Sequence, residues 1–300
     1  MLAKVVIVGV GLIGGSFALA LKRAGAVAHV VGVGRAPEAL ARARELGIID
    51  EIASSTEAAM RGADLVLIAA PVGQTEAILA GLLPYLEPHT VVTDAGSTKS
   101  DVVAAARAAL GERVHQFVPG HPIAGSEANG PDAARAGLYQ GKKAVLTPLP
   151  ENAPEAIGRV AAAWTACGAI IHTLTPQEHD RVFAAVSHLP HLLAFALVDD
   201  IANKPHAELL FQYAASGFRD FTRIAASSPE MWRDISLANQ AALLGELDAY
   251  LAQLTSLRAA LASGDGAALN TVYANAQRAR QQWTGAIEAA EKPRTTDTAA

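Results

Sequence analysis

Val5-Val6-Ile7-Val8-Gly9-Val10-Gly11-Leu12-Ile13-Gly14 is the stretch that decides the fold: a short apolar run passes directly into a glycine turn and then into a helix-like segment. A parallel strand that ends in such a turn brings backbone amides up to a pyrophosphate. The second glycine leaves room for the phosphate, the third packs helix against strand, and the positive helix N-terminus stabilises the anion. On this reading Gly9, Gly11, Leu12, Ile13 and Gly14 form a dinucleotide turn at the start of the chain.

A signal peptide is the competing reading, because the stretch from Val5 to Leu21 is nearly uncharged and lies between Lys4 and Lys22. It is shorter than the ~20 apolar residues of a membrane span. It also holds four glycines, and α/β pattern follows it without a break. The nucleotide turn is therefore preferred, and no membrane is expected.

The chain has 300 residues, 51% of them hydrophobic, which is ample for two domains. A net charge of -5 without basic clusters argues against nucleic acid as a partner. The single cysteine, Cys167, excludes an internal disulfide and fits a reducing cytoplasm. Its apolar setting suggests packing rather than chemistry.

Short apolar strands are predicted at residues 4–8, 30–33, 65–69, 91–94, 116–118, 144–146 and 169–174, alternating with amphipathic helices. That pattern predicts a Rossmann-type, doubly wound parallel sheet over residues 1–174. Ligands of such sheets lie beyond the carboxyl ends of the strands. From residue 175 the apolar spacing becomes three and four, which predicts an all-α domain over 175–288. Leu243, Leu244, Leu247, Leu251, Leu254, Leu257 and Leu261 form an apolar stripe suited to an intrachain core or to a dimer interface. Residues 289–300 read as a flexible tail.

At the end of the second strand, where an acid would hold the ribose hydroxyls of NAD, stand Gly34 and Arg35. Glycine removes the charge that would repel a 2′-phosphate, and a guanidinium pairs with one. The reading favours NADP, with NAD as the alternative and Arg35 then simply a solvated residue. Pro71, after the strand at 65–69, is placed at the same crevice.

Three clusters can carry chemistry, and none suggests a metal. In Asp94-Ala95-Gly96-Ser97-Thr98-Lys99, Ser97 is placed to cap the following helix. In Pro119-Gly120-His121-Pro122, a histidine is clamped in a loop at the crevice, and its ordinary pKa of ~6.5 suits a general base. In the helical half, Ser187 and His191 are four apart and share a face unless Pro190 disturbs the turn. Arg219 is expected to pair with Asp220. Arg223, among Phe221, Ile224 and Ala225, is the better candidate for a carboxylate ligand.

The strings GVGLIGGS, DAGSTKSDV, PGHPIAGSE, AVSHLPHLLAFAL, GFRDFTRIA and MWRDI, in this order, resemble the prephenate dehydrogenases and their arogenate and cyclohexadienyl relatives. The resemblance implies an oxidative decarboxylation of prephenate or arogenate on the route to tyrosine. It makes His121 the base on the C4 hydroxyl, with Ser97 orienting both. Arg223 then holds a substrate carboxylate, and Ser187 and His191 line the substrate pocket. It further implies a homodimer through the helical domain and, where tyrosine inhibits, action at the substrate site. The rival readings are a β-hydroxyacid dehydrogenase of the 6-phosphogluconate type and a non-catalytic dinucleotide sensor. The first would need a lysine base where Ser187–His191 stand, and the second would not need His121, Ser187, His191 and Arg223 together.

Overall fold

The computed structural model describes residues 1–126 and 128–291. Strands and helices alternate from the start: β1 (Leu2–Val8), α1 (Leu12–Arg23), β2 (Val27–Val33), α2 (Pro37–Glu45), β3 (Glu51–Ile52), α3 (Thr56–Met60), β4 (Leu65–Ile68), α4 (Thr75–Leu82), β5 (Val91–Asp94), α5 (Ser100–Leu110) and β6 (Phe117–Val118). The strands form one parallel sheet in the order β3-β2-β1-β4-β5-β6. The order reverses between β1 and β4, and the crevice beyond their carboxyl ends is where such sheets bind ligands.

Alternation along β1 explains why the strands read as continuous apolar runs. Val5 and Ile7 enter one core with Phe17, Leu21 and Trp164, whereas Val6 and Val8 enter a second with Leu79, Val102 and Phe117. Successive side chains point to opposite faces, and both faces are covered.

The expectation of one sheet does not hold for the later strands. β7 (Gly120–Pro122), β8 (Lys143–Leu146) and β9 (Ile170–Thr173) make a separate three-stranded sheet, in which β7 runs antiparallel to β8. His121 is therefore on a strand, opposite Val145, rather than in a loop. The ladder closes through Thr147 N–H to the Pro119 carbonyl and Ile123 N–H to the Lys143 carbonyl. These bonds fall on odd positions of β7, so Pro122, which has no N–H, sits where the ladder needs no donor. α6 (Pro154–Ala166) connects β8 to β9.

The helical region begins with α7 (Pro176–Phe183), a π-helical turn (Ala184–His188) and α8 (Leu189–Ala202). Thr175 starts it with a reciprocal capping box to Glu178, and Pro176 stands in the first turn, where its missing N–H costs nothing. By length and composition this run of 27 residues could cross a membrane. It nevertheless carries His179, Asp180 and His188, all buried. After it come α9 (Ala207–Gln212), α10 (Ser216–Thr222), a 3-10 turn (Arg223–Ala226) and α11 (Pro229–Ala238).

By compactness the chain divides into two units, Met1–Leu243 and Leu244–Ala300. The helices up to Leu243 thus belong with the sheet. The second unit consists of the rest of α12 (Gln240–Ser263) and α13 (Gly266–Glu291), joined by a turn at Gly264. Of the leucine stripe, Leu243 is buried, while Leu244, Leu251, Leu254 and Leu261 are exposed, so an intrachain core does not account for it. The expected tail is helical as far as Glu291, and residues 292–300 lie outside the described residues.

Candidate active site

Gly9 ends β1 with φ +98°, a conformation that side chains rarely adopt, and a Cβ there would stand 2.5 Å from the Ala69 carbonyl oxygen. A Cβ on Gly14 would lie 2.2 Å from the Gly9 carbonyl oxygen, so helix and turn meet only because both residues are bare. Gly11 is different: it is the N-cap of α1, and a Cβ there meets no heavy atom within 4 Å. That open space lies over the first turn of α1, whose first internal bond runs from Gly15 N–H to the Gly11 carbonyl. The amides of Leu12, Ile13 and Gly14 remain for an anion, and no acid stands in this turn. These residues fit a pyrophosphate.

The turn opens into a cavity of about 560 Å³ lined by Gly9, Gly11, Gly34, Arg35, Pro71 and Gln74, among others. Arg35 is the only charged side chain among the described lining residues, which include no carboxylate. Five of the predicted cofactor residues therefore come together here. Leu12, Ile13 and Gly14 stand behind in α1, and Leu12 is buried. Ser97 is not in the lining. It belongs to the next loop, where Gly96 lies close against Val72, the neighbour of Pro71.

That loop is held by buried charges. Asp94, at the end of β5, pairs with Lys99, both side chains being almost fully buried. Asp94 also accepts hydrogen bonds from Gly96 N–H at 2.8 Å and Gly120 N–H at 3.0 Å. One carboxylate thus ties the loop after β5 to the start of β7. A buried pair of this kind is expensive to break, because removing one partner strands the other charge.

Ser97 does not cap α5; the N-cap position is Lys99. The free amides of Lys99 and Ser100 instead donate to the two carboxylate oxygens of Asp180, each at 2.8 Å. A residue 80 positions away does what a local serine was expected to do. The reason is that Asp180 is itself buried and needs donors.

Asp180 leads to the histidine on β7. Its Oδ1 lies 2.9 Å from Nδ1 of His179, and Nε2 of His179 lies 2.9 Å from Nδ1 of His121. Phe183 packs edge-on against His121 with ring centroids 5.0 Å apart. Burial, then the neighbouring His179, Lys99 and His188, push the His121 pKa well below its ordinary value. At neutral pH it is a neutral imidazole with one ring nitrogen free to accept a proton, as a base must be.

Burial lowers His188 to about 4, against the opposing pull of Asp180. Nδ1 of His188 accepts from Asn239 Nδ2 at 3.1 Å, and the same amide group donates to the Asp180 carbonyl at 2.8 Å. Ser187 and His191 do stand together: Nδ1 of His191 donates to the Ser187 carbonyl at 2.8 Å across the junction of the π-helical turn and α8. Pro190, in the first turn of α8, is accommodated there. The His191 ring stacks on Trp232 of α11, with centroids 3.5 Å apart. Burial lowers His191, and the nearby Arg223 cation adds to this. Arg223 itself is exposed rather than sunk among its apolar neighbours. The expected Arg219–Asp220 ion pair is not formed among the described residues, and Glu127 of the histidine motif lies outside them.

The sequence reading missed His179, Asp180 and Asn239, and assigned no role to His188 or Trp232. A signal was available. In the mainly apolar run from Pro176, the positions 180, 184, 187 or 188, and 191 fall on one helical face, and most of them are polar.

Comparison with known proteins identifies the family. The family profile described as prephenate dehydrogenase, nucleotide-binding domain, matches residues 17–173, and the profile described as prephenate dehydrogenase, dimerization domain, matches 175–274. The chain is 38% identical over 278 residues to the cyclohexadienyl dehydrogenase of Zymomonas mobilis, covering 92% of this chain and 94% of that one. The prephenate dehydrogenase of Aquifex aeolicus, solved with hydroxyphenyl propionate and NAD+, superposes with a TM-score of 0.88 at 36% identity, covering 94% of this chain and 98% of that one. The arogenate dehydrogenase of Synechocystis gives 0.77 at 30% identity, covering 93% and 99%. A glycine turn shaped for a pyrophosphate, a neutral, partly buried histidine on β7 and these matches over most of the chain lead to one conclusion: the chain belongs to the prephenate dehydrogenase family.

Proposed function

We propose that the chain catalyses the NAD(P)-dependent oxidative decarboxylation of prephenate, arogenate or both. The observation that carries this is His121, a partly buried neutral imidazole on β7, backed by His179 and Asp180, in a chain of this family. In this reaction the bound nicotinamide supplies the acceptor for the hydride that leaves C4. The protein's part is to take the C4 hydroxyl proton, hold the substrate carboxylates and exclude water. His121 takes the proton and Ser97 orients the hydroxyl. Arg223 binds a carboxylate, while Ser187 and His191 line the pocket, the latter kept in place by its stack on Trp232.

NADP is proposed as the preferred cofactor, supported by Arg35 and by the lack of a carboxylate among the described residues of the cavity. The exposed leucines of α12 support a homodimer, as does the description of the matched C-terminal profile. Tyrosine, the product from arogenate and an analogue of the product from prephenate, is proposed to compete at the substrate site. The single buried cysteine is in keeping with a cytoplasmic location.

The test is reduction of the cofactor followed by absorbance, with prephenate and arogenate and with NADP and NAD at equal concentration. His121→Asn is expected to lower kcat by about 10²–10⁴-fold, the usual effect of losing a general base. Arg223→Ala should mainly raise KM. Full activity of His121→Asn would overturn the assignment, and a clear preference for NAD would overturn the choice of NADP.

A further inference from the structure

The hydrogen bonds behind His121 have a direction. A carboxylate accepts and does not donate, so the 2.9 Å contact with Asp180 Oδ1 puts a proton on Nδ1 of His179 and leaves its Nε2 with a lone pair. That lone pair faces Nδ1 of His121 at 2.9 Å, so His121 carries its own proton there. The free Nε2 of His121 is then the basic atom. Asp180 is a firm end to this chain: burial alone would raise its pKa, but hydrogen bonds from His179, Ser100 and Lys99 outweigh burial and hold it below the ordinary carboxylate range. Among the groups facing the histidine pair, Lys99 opposes positive charge there, His188 opposes it on His121, and Asp180 and Asp94 favour it on His179.

We propose that His179 is a positioning residue that also relays a proton, with Asp180 as its anchor. This rests on His121 being the base. As Nε2 of His121 takes the C4 hydroxyl proton, Nδ1 of His121 passes its own proton to Nε2 of His179. The imidazolium charge comes to rest on His179, in contact with the Asp180 carboxylate, instead of on His121.

The atoms balance. The hydroxyl O–H bond and the His121 Nδ1–H bond break as N–H bonds form on His121 Nε2 and His179 Nε2, and C4 gives up its hydrogen with both electrons to the nicotinamide dinucleotide. The bond from the ring to its carboxylate then breaks, carbon dioxide leaves, and the electron pair moves through the ring to the C4 oxygen. That phenolate oxygen takes a proton back from His121 as His179 returns one to it. No net proton is made, so the relay needs no route to solvent. His179 has none: its side chain is fully buried.

Selective ¹⁵N-histidine labelling of the full chain without cofactor gives the first test. Both His121 and His179 are expected as neutral Nδ1–H tautomers at pH 7, and an Nε2–H tautomer on His121 overturns the proposal. The second test is single-turnover rates with C4-deuterated substrate in mixtures of H₂O and D₂O. A curved dependence, reporting two protons in motion, is expected, and a straight line overturns the relay. His179→Gln keeps an acceptor for His121 but carries no proton. Its kcat should fall by about tenfold or more, short of the loss from removing the base outright, with KM within twofold and the isotope dependence made straight. Unchanged kcat in this variant refutes the relay, and if the variant does not fold, the two tests on the unaltered chain still decide. An unaltered chain that turns over neither prephenate nor arogenate would defeat the proposed function instead.

Discussion

Gly11→Ala separates folding from cofactor binding at the dinucleotide turn. The backbone of Gly11 is extended, at φ -104° and ψ -154°, and a methyl group there meets nothing within 4 Å. Alanine is a poorer N-cap than glycine, by an amount on the order of 1 kcal/mol. Reduced freedom in the unfolded chain returns about 0.4–1 kcal/mol. The fold should therefore keep its stability to within about 1 kcal/mol, a shift of about 2–4 °C or less.

The cofactor meets a different situation, because that methyl occupies the space over the first-turn amides. Losing one charge-assisted hydrogen bond to a phosphate costs about 1.5–3 kcal/mol, or about 10- to 150-fold in Kd. Gly14→Ala is the contrasting variant. Its Cβ would lie 2.2 Å from the Gly9 carbonyl oxygen and 2.7 Å from Ile7 Cγ2, so about 1–3 kcal/mol of overpacking should lower stability as well. Thermal melts without cofactor and calorimetric titration with NADP and NAD give both quantities. If Gly11→Ala binds cofactor with an unchanged Kd, or melts as low as Gly14→Ala, the assignment of this turn is wrong.

Arg35→Ala should weaken NADP binding by about tenfold, the effect of losing a charge-assisted bond at a partly solvated site, and should leave NAD nearly unaffected. Equal losses for both cofactors would remove the 2′-phosphate from the argument. Stability should also fall with acid. His188 is 1% exposed with a pKa of about 4, against about 6.5 when unfolded. Between those values the unfolded chain binds more protons than the folded one, so stability is intact above pH 6.5 and declines below it. The loss from this histidine reaches about 3 kcal/mol by pH 4. His121 and His179, which burial lowers also, act in the same direction. Urea midpoints at pH 7 and pH 5 check this, and equal midpoints would contradict it.

The site was only partly legible before the fold was known. Gly9, Gly11, Gly34, Arg35 and Pro71 could be read because each follows a strand of a parallel sheet, and topology alone sends those turns to one crevice. Ser97 was misread because a serine ahead of a helix has an obvious local use. The two amides it was expected to serve are met by Asp180, which nothing in the neighbouring sequence announces. Arg219 was likewise given a local partner, Asp220, that it does not take among the described residues.

The amino-acid sequence by itself determined the parallel sheet, the pyrophosphate turn and the change to helix after Thr175. These follow from periodicity and from the few residues that a strand, turn and helix need at fixed spacing. Only the tertiary structure decided what surrounds His121. A buried polar group must find its partner wherever burial leaves one, and here His179, Asp180 and the amides of α5 meet across 58 to 81 positions of chain. Local pattern carries no record of such a pairing, because the pairing exists only once the helices have packed on the sheet.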